Sequence, residues 1–99
     1  MDIEDWRNEI DAIDMELLRL LNMRARLAVK VGTLKTAASL PLIDPEREAY
    51  VLRRVRDANS GPLHDCAVDS LFRHIIKASR NAEQENCGSN TRAVEEVRL

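Results

Sequence analysis

Apolar residues recur at steps of three and four along the first 38 residues, as they do on one face of an α-helix. The stretch from Ile3 to about Ala38 contains no proline and a single glycine, Gly32, so it predicts one long helix. Its apolar stripe, interrupted at Arg24, consists of Trp6, Ile10, Ile13, Leu17, Leu20, Leu27, Val31 and Leu34. A helix of about 34 residues is about 50 Å long, more than the roughly 30 Å diameter of a compact domain of this size. We therefore expect a dimer in which two long helices share a core.

The rest of the chain predicts two shorter helices and no strand. Asp44 can cap a second helix that begins at Pro45, and Gly61 with Pro62 ends it. A third helix is expected from about Asp65 to residue 85. The expected buried faces are Val51, Leu52, Val55 and Ala58 in the second helix, and Val68, Leu71, Phe72, Ile75 and Ile76 in the third.

These elements indicate an all-α fold with three helices per chain, one very long, one short and one of medium length. Residues 86–90 combine asparagine, glycine and serine, which interrupt a helix. We therefore expect one helical domain at residues 1–85 and a flexible tail at residues 86–99.

Composition and charge exclude several classes of function. The net charge is -2, so the chain has no excess positive charge to bind nucleic acid. No apolar run approaches the roughly 20 residues that span a bilayer, and the first residues are acidic where a secretory signal is basic. We expect a cytoplasmic protein that contacts neither membrane nor nucleic acid.

The sequence also offers no spacing of cysteine and histidine that is typical of a metal site. The residues concerned are Cys66, Cys87, His64 and His74.

Arg24 is the clearest chemical signal, because it lies in the apolar stripe where a buried guanidinium would need an anion. Lys35 lies 11 residues later, about 16 Å along the helix and within roughly 20° of the same direction. The two cations could therefore face one cavity. Taken as an isolated pair, they are more simply explained as a snorkelling arginine and a solvated lysine.

The third helix repeats this pattern, because Ser79 and Glu83 extend its apolar face. Each could also belong to a frayed helix end, and Arg47 and Glu48 could simply stabilise the start of the second helix. Taken together with Arg24 and Lys35, however, they would form one pocket with three cations and two acids. The chain has no activated nucleophile, metal cluster or phosphate loop. We therefore expect a site that binds a small dianion and acts by positioning and electrostatics.

These residues resemble a known family, the all-helical chorismate mutases of the AroQ class. The resemblance extends from Trp6 to about Glu83. Its ordered motifs are Arg7-x-x-Ile10-x-x-Ile13-Asp14-x-x-Leu17-Leu18-x-Leu20-Leu21-x-x-Arg24, Leu27-Ala28-x-x-Val31-Gly32-x-x-Lys35, Asp44-x-x-Arg47-Glu48 and Phe72-x-x-Ile75-Ile76-x-x-Ser79. The resemblance implies an intertwined homodimer that converts chorismate to prephenate by a Claisen rearrangement, without a cofactor, in aromatic amino-acid biosynthesis.

The resemblance also implies a role for each motif residue. Arg24 would bind a substrate carboxylate, together with Arg7 from the partner chain. This division suits the helix geometry, since 17 residues separate the two arginines by about 25 Å. The other implied contacts are Lys35 with the ether oxygen, Glu48 with the ring hydroxyl, Ser79 with a carboxylate, and Asp44 and Arg47 as binding or orienting residues.

Glu83 departs from the many bacterial members that carry glutamine at this position. Glutamine donates a hydrogen bond at any pH, whereas glutamate donates only when protonated. The second contact to the ether oxygen is therefore expected to depend on pH.

Two alternative functions remain. Isochorismate pyruvate lyase has the same fold, but that branch generally lacks an acid at the position of Glu48. A non-catalytic helical dimerisation module would explain the long helix, but not Arg24, Lys35 and Glu83 on apolar faces.

Overall fold

The computed structural model describes residues 1–88, and the side chains of residues 1–85. It contains three helices, α1 (Ile3–Ala37), α2 (Pro45–Ala58) and α3 (Asp65–Gly88), and no strand within the described part. The predicted all-α class is therefore confirmed. The predicted end of α3 at Glu85 is wrong, because the helix continues to Gly88. Asparagine and cysteine weaken a helix only slightly, and glycine is common where a helix terminates. The rest of the predicted tail, residues 89–99, lies outside the described residues.

Short polar side chains determine where the helices begin and end. Asp2 and Asp5 form a capping box at the start of α1, in which each carboxylate accepts a hydrogen bond from the other residue's backbone N–H at 3.0 Å. After α2, the Asn59 carboxamide donates to the Leu63 carbonyl at 2.8 Å and accepts from the Gly61 N–H at 3.1 Å. Gly61 has a φ of 82°, which a glycine adopts without strain. This turn reverses the chain, so that α3 lies against α2.

The core of the single chain is small and lies where α3 packs against both α1 and α2. Its buried apolar residues are Leu52, Val68 and Ile76. Two predicted core positions are wrong, because Leu71 is 52% exposed and Ala58 is also exposed. The Cα atoms extend over 54 × 35 × 16 Å, so the molecule is only about two packed helices thick in its shortest dimension. A face that points away from the two helix contacts consequently stays exposed.

The first two-thirds of α1 has no packing partner among the described residues. Every residue from 1 to 23 is exposed, including the large apolar residues Trp6 (54%), Ile10 (55%), Ile13 (59%) and Leu17 (51%). The predicted apolar stripe is thus present and is left exposed by the described part of one chain, and its expected burial in a dimer stays a prediction. None of the described helices is both long and apolar enough to cross a membrane. The cytoplasmic location stays a prediction.

Gly32 is the one buried residue of α1 and lies against Glu83 of α3. A Cβ atom at this position would lie 3.2 Å from both Cβ and Cγ of Glu83. Contacts this short force the neighbouring side chain to move. Glycine at position 32 therefore allows α1 to pack against the Glu83 side chain.

We expect Gly32→Val to lower the free energy of unfolding by about 1 to 3 kcal/mol, because the larger side chain overpacks the α1–α3 contact. Urea denaturation at one fixed protein concentration measures the effect. Thr33→Val is the matched control, since Thr33 is exposed on the same helix and its replacement should cost no more than about 0.5 kcal/mol. Equal losses from the two variants would contradict the close packing.

Candidate active site

A cavity of about 310 Å³ lies between the C-terminal part of α1, the start of α2 and the C-terminal part of α3. This volume is at the lower end of the range for small-molecule sites, about 300 to 1,000 Å³. Seven of the eight site residues predicted from the sequence line it. The polar and charged lining consists of Arg24, Lys35, Asp44, Arg47, Glu48, Ser79, Arg80 and Glu83. Apolar side chains such as Leu27, Val31 and Ile76 complete the walls.

Arg24 and Ser79 connect α1 to α3 at the cavity wall. The Nη1 atom of Arg24 donates a hydrogen bond to the Oγ atom of Ser79 at 2.8 Å. Ser79 is only 6% exposed, and Arg24 is partly buried. The bond fixes the guanidinium in place, while its five N–H groups leave further donors for an anion. The serine hydroxyl accepts from Arg24, so its own hydrogen can be donated to a ligand.

Lys35 lies at the end of α1, next to the loop that leads into α2. Its Nζ atom donates to the backbone carbonyl of Leu42 at 3.2 Å, and Leu42 itself lines the cavity. The loop also returns to the helix through a hydrogen bond from the Leu40 N–H to the Lys35 carbonyl at 2.8 Å. An ammonium group has three N–H donors, so this contact holds Lys35 at the cavity and leaves donors for a ligand.

The start of α2 brings Asp44, Arg47 and Glu48 to the cavity. Asp44 is the N-cap residue, and its Oδ1 atom accepts from the Arg47 N–H at 3.1 Å. The Arg47 guanidinium lies over the ring of Tyr50, 5.3 Å from its centroid, in a cation–π contact. Asp44 therefore caps the start of α2 in this structure. Arg47 lines the cavity while its guanidinium also contacts the Tyr50 ring.

Arg80 is a cavity residue that the sequence analysis missed. Its Nη2 atom donates a short hydrogen bond to Oε2 of Glu48, and this ion pair joins α3 to α2. The available signal was the same periodicity that identified Ser79 and Glu83. Arg80 follows Ile76 by four residues and therefore also lies on the extension of the apolar face of α3.

Glu83 is the most deeply buried acid of the site, with 9% exposure. Burial is the largest influence on it and raises the pKa of its carboxyl above the ordinary value. The facing charges are Lys35, Arg80 and Arg24, which lower the pKa, and Glu48, which raises it. Desolvation thus outweighs the three cations. A raised pKa extends the pH range over which Glu83 carries a proton and can donate a hydrogen bond.

Arg7 is the one predicted site residue that the single chain does not bring to the cavity. It lies in the first turns of α1, is 67% exposed, and forms an ion pair with Glu4 at 3.3 Å. The helix geometry separates it from Arg24 by about 25 Å. Arg7 can therefore reach such a cavity only in another chain.

The cavity is suited to binding an anion by electrostatics. Among its lining residues, four cations face three acids, and one of those acids, Glu83, is shifted toward its neutral form. The described residues include no cluster of His, Cys, Asp and Glu that could hold a metal ion. Cys66 is exposed and does not line the cavity.

Comparison with known proteins places these features in a family. The model of the family described as chorismate mutase type II matches residues 6–84. The bifunctional chorismate mutase/prephenate dehydratase of Neisseria gonorrhoeae is 51% identical over 70 residues, which are 71% of this chain and 19% of that protein. The chain thus spans about a fifth of the length of such curated relatives.

Two solved structures resemble most of the chain. A chorismate mutase from Thermus thermophilus (form II) is 40% identical, with a TM-score of 0.82 over 84% of this chain and 94% of that one. The Helicobacter pylori chorismate mutase, solved in complex with prephenate, is 28% identical with a TM-score of 0.81, over 90% of this chain and 97% of that one. The likeness therefore covers nearly the entire length of these two solved chains.

Proposed function

The chain belongs to the chorismate mutase type II family, and from this premise we propose that it rearranges chorismate to prephenate without a cofactor. The observation that carries the proposal is the cavity itself, which is lined by cations from all three helices and by a buried acid with a raised pKa. The relative from Neisseria combines mutase and prephenate dehydratase in its name, which supports a place in aromatic amino-acid biosynthesis. The solved prephenate complex of the Helicobacter enzyme supports the same ligand class here.

Substrate binding in this proposal depends on cations that are already oriented. Arg24, held by Ser79, would bind one carboxylate of the dianion, and the Ser79 hydroxyl would donate to a carboxylate oxygen. Asp44 and Arg47 would bind or orient the ligand from the start of α2. Holding a flexible substrate in its reactive conformation removes entropy from the activation barrier before the reaction begins.

Catalysis would result from hydrogen bonds to charge that develops in the transition state. In a Claisen rearrangement a C–O bond breaks while a C–C bond forms, and the ether oxygen becomes more negative. Lys35 and protonated Glu83 would donate to this oxygen, and Glu48 would accept from the ring hydroxyl. Such donors in a water-poor cavity are usually the largest contribution to catalysis.

A homodimer completes the proposed site. The exposed stripe from Trp6 to Leu17 gives α1 an apolar face of the kind that a second copy of the chain would cover. In a symmetric dimer each long helix could deliver its Arg7 to the cavity of the other chain. Arg7 would then exchange its exposed partner Glu4 for a substrate carboxylate.

One assay separates the proposal from its two rivals. Chorismate and, in a parallel reaction, isochorismate are added to the purified protein, and the absorbance and products of each are followed. Formation of prephenate supports the mutase, release of pyruvate from isochorismate supports the lyase, and no reaction with either substrate supports a non-catalytic dimerisation module.

Lys35→Ala should lower kcat at least about a hundredfold, because loss of one donor to a developing oxyanion costs about 3 to 4 kcal/mol. Steady-state kinetics with chorismate measure the change. Lys30→Ala removes an exposed lysine from the same helix and should retain nearly full activity. If Lys35→Ala keeps more than half of the kcat of the original chain, Lys35 has no part in the chemistry.

Mixing two inactive variants should restore activity if each site combines Arg7 of one chain with Arg24 of the other. Co-refolding Arg7→Ala with Arg24→Ala produces heterodimers in which one of the two sites is intact. Their activity is compared with each parent, and sedimentation establishes the oligomeric state. A monomer in solution, or no recovery in proven heterodimers, rules out the shared site.

Catalysis should decline toward alkaline pH, because Glu83 stops donating when it ionises and then places a negative charge beside the ether oxygen. The raised pKa of Glu83 moves this decline to higher pH than an ordinary carboxyl would give. Glu83→Gln keeps a donor at every pH and should flatten kcat/KM between about pH 5 and 8. Glu85→Gln, an exposed position on the same helix, controls for the lost charge. Identical profiles for the original chain and Glu83→Gln would remove Glu83 from the mechanism.

A further inference from the structure

Arg80 has an unusual environment for an arginine on a small helical protein. Its side chain is 25% exposed, lines the cavity, and pairs with a Glu48 side chain that is 29% exposed. Its Nε atom is buried and has no hydrogen-bond partner among the described residues. A surface arginine would avoid this desolvation by extending into water. The arrangement therefore indicates that the ion pair between Arg80 and Glu48 has a functional role in the cavity.

The ion pair engages only one side of the Glu48 carboxylate. Arg80 donates to Oε2, so Oε1 remains able to accept a hydrogen bond from a ligand. Glu48 lies in the first turn of α2, where a long side chain without a partner would sample several rotamers. The bond from α3 removes this freedom and directs the carboxylate along the cavity wall.

We propose that Arg80 is a positioning residue that holds Glu48 by one oxygen and thereby orients the other oxygen toward the ligand in the cavity. The inference rests on the proposed mutase function, in which Glu48 accepts a hydrogen bond from the ring hydroxyl. Arg80 does not itself contact the reacting atoms. Its effect on the reaction therefore passes through Glu48 and through the charge that it places near Glu83.

The electrostatic effect on Glu83 supplies a second observable. The charged groups that face Glu83 are Lys35 and Arg24 from α1, Glu48 from α2 and Arg80 from α3. Arg80 lowers the pKa of Glu83, and Glu48 raises it. Removing the Arg80 charge takes away a favourable neighbour of ionised Glu83 and leaves the Glu48 charge uncompensated. Both changes raise the pKa of Glu83, so the alkaline decline of activity moves to higher pH.

A double-mutant cycle tests the positioning role. Arg80→Met keeps the length of the side chain without its charge, and we expect it to lower kcat/KM about tenfold. In the Glu48→Gln background, at a pH below the alkaline decline where Glu83 stays protonated, the same substitution should change kcat/KM less than about twofold, because the group that it positions is already altered. Arg73→Met is the matched control. Arg73 is 65% exposed, pairs with Asp69 of the same helix and does not line the cavity.

The pH profile separates positioning from a merely structural role. Arg80→Met should move the alkaline decline to higher pH, and this movement should vanish in the Glu83→Gln background. Arg80→Lys restores the charge and should return the decline toward its original pH, while the single point charge recovers only part of kcat/KM. Additive losses from Arg80→Met and Glu48→Gln, or an unmoved decline, would overturn the proposal.

A measurement that needs no catalytic turnover distinguishes failure of the proposed mutase function from failure of the proposed role of Arg80. If the unaltered protein does not convert chorismate, the proposed mutase function fails. Carboxyl ¹³C NMR titration of the ligand-free protein then still reports on Arg80, because Arg80→Met should raise the titration midpoint of Glu83. No change in this midpoint would reject the electrostatic part of the inference, whatever the activity of the chain.

Discussion

The site depends on charged and hydroxyl groups lying on helix faces that would otherwise be apolar. A desolvated charge is costly unless a partner compensates it, and each helix contact here includes such compensation. Arg24 of α1 donates to Ser79 of α3, and Arg80 of α3 pairs with Glu48 of α2. The bonds that hold the three helices together are therefore also the bonds that orient the cavity's polar groups.

Close packing supports this arrangement at Gly32. Because that residue has no side chain, α1 can pack directly against the Cβ and Cγ atoms of Glu83. The resulting burial raises the pKa of Glu83 despite three nearby cations. Glu83 thus keeps its proton to a higher pH than an exposed carboxyl would, and while it is protonated it does not neutralise the cations beside it. The same cations then keep their capacity to bind an anionic ligand.

The proposed dimer follows from the shape of the chain as well as from its chemistry. With only Leu52, Val68 and Ile76 as buried apolar residues among those described, one chain has little core to offset the entropy lost on folding. Much of the apolar surface instead lies on the exposed first two-thirds of α1. If a second chain covers it, folding, assembly and completion of the site by Arg7 become one linked process.

The sequence alone determined the local structure, because helix signals act between residues close in the chain. Helical periodicity and the Asp44–Pro45 start placed the three helices, and polar residues on apolar faces identified Arg24, Ser79 and Glu83. Only the tertiary structure decided which residues of the other helices these faces contact. The pairing of Arg80 with Glu48 depends on how α3 lies against α2, and the pKa direction of Glu83 depends on a balance between burial and four charges from three helices. Neither is a property of local spacing, so neither could be read from the sequence. The exposure of Leu71 has the same origin, since periodicity identifies an apolar face but cannot say whether another element covers it.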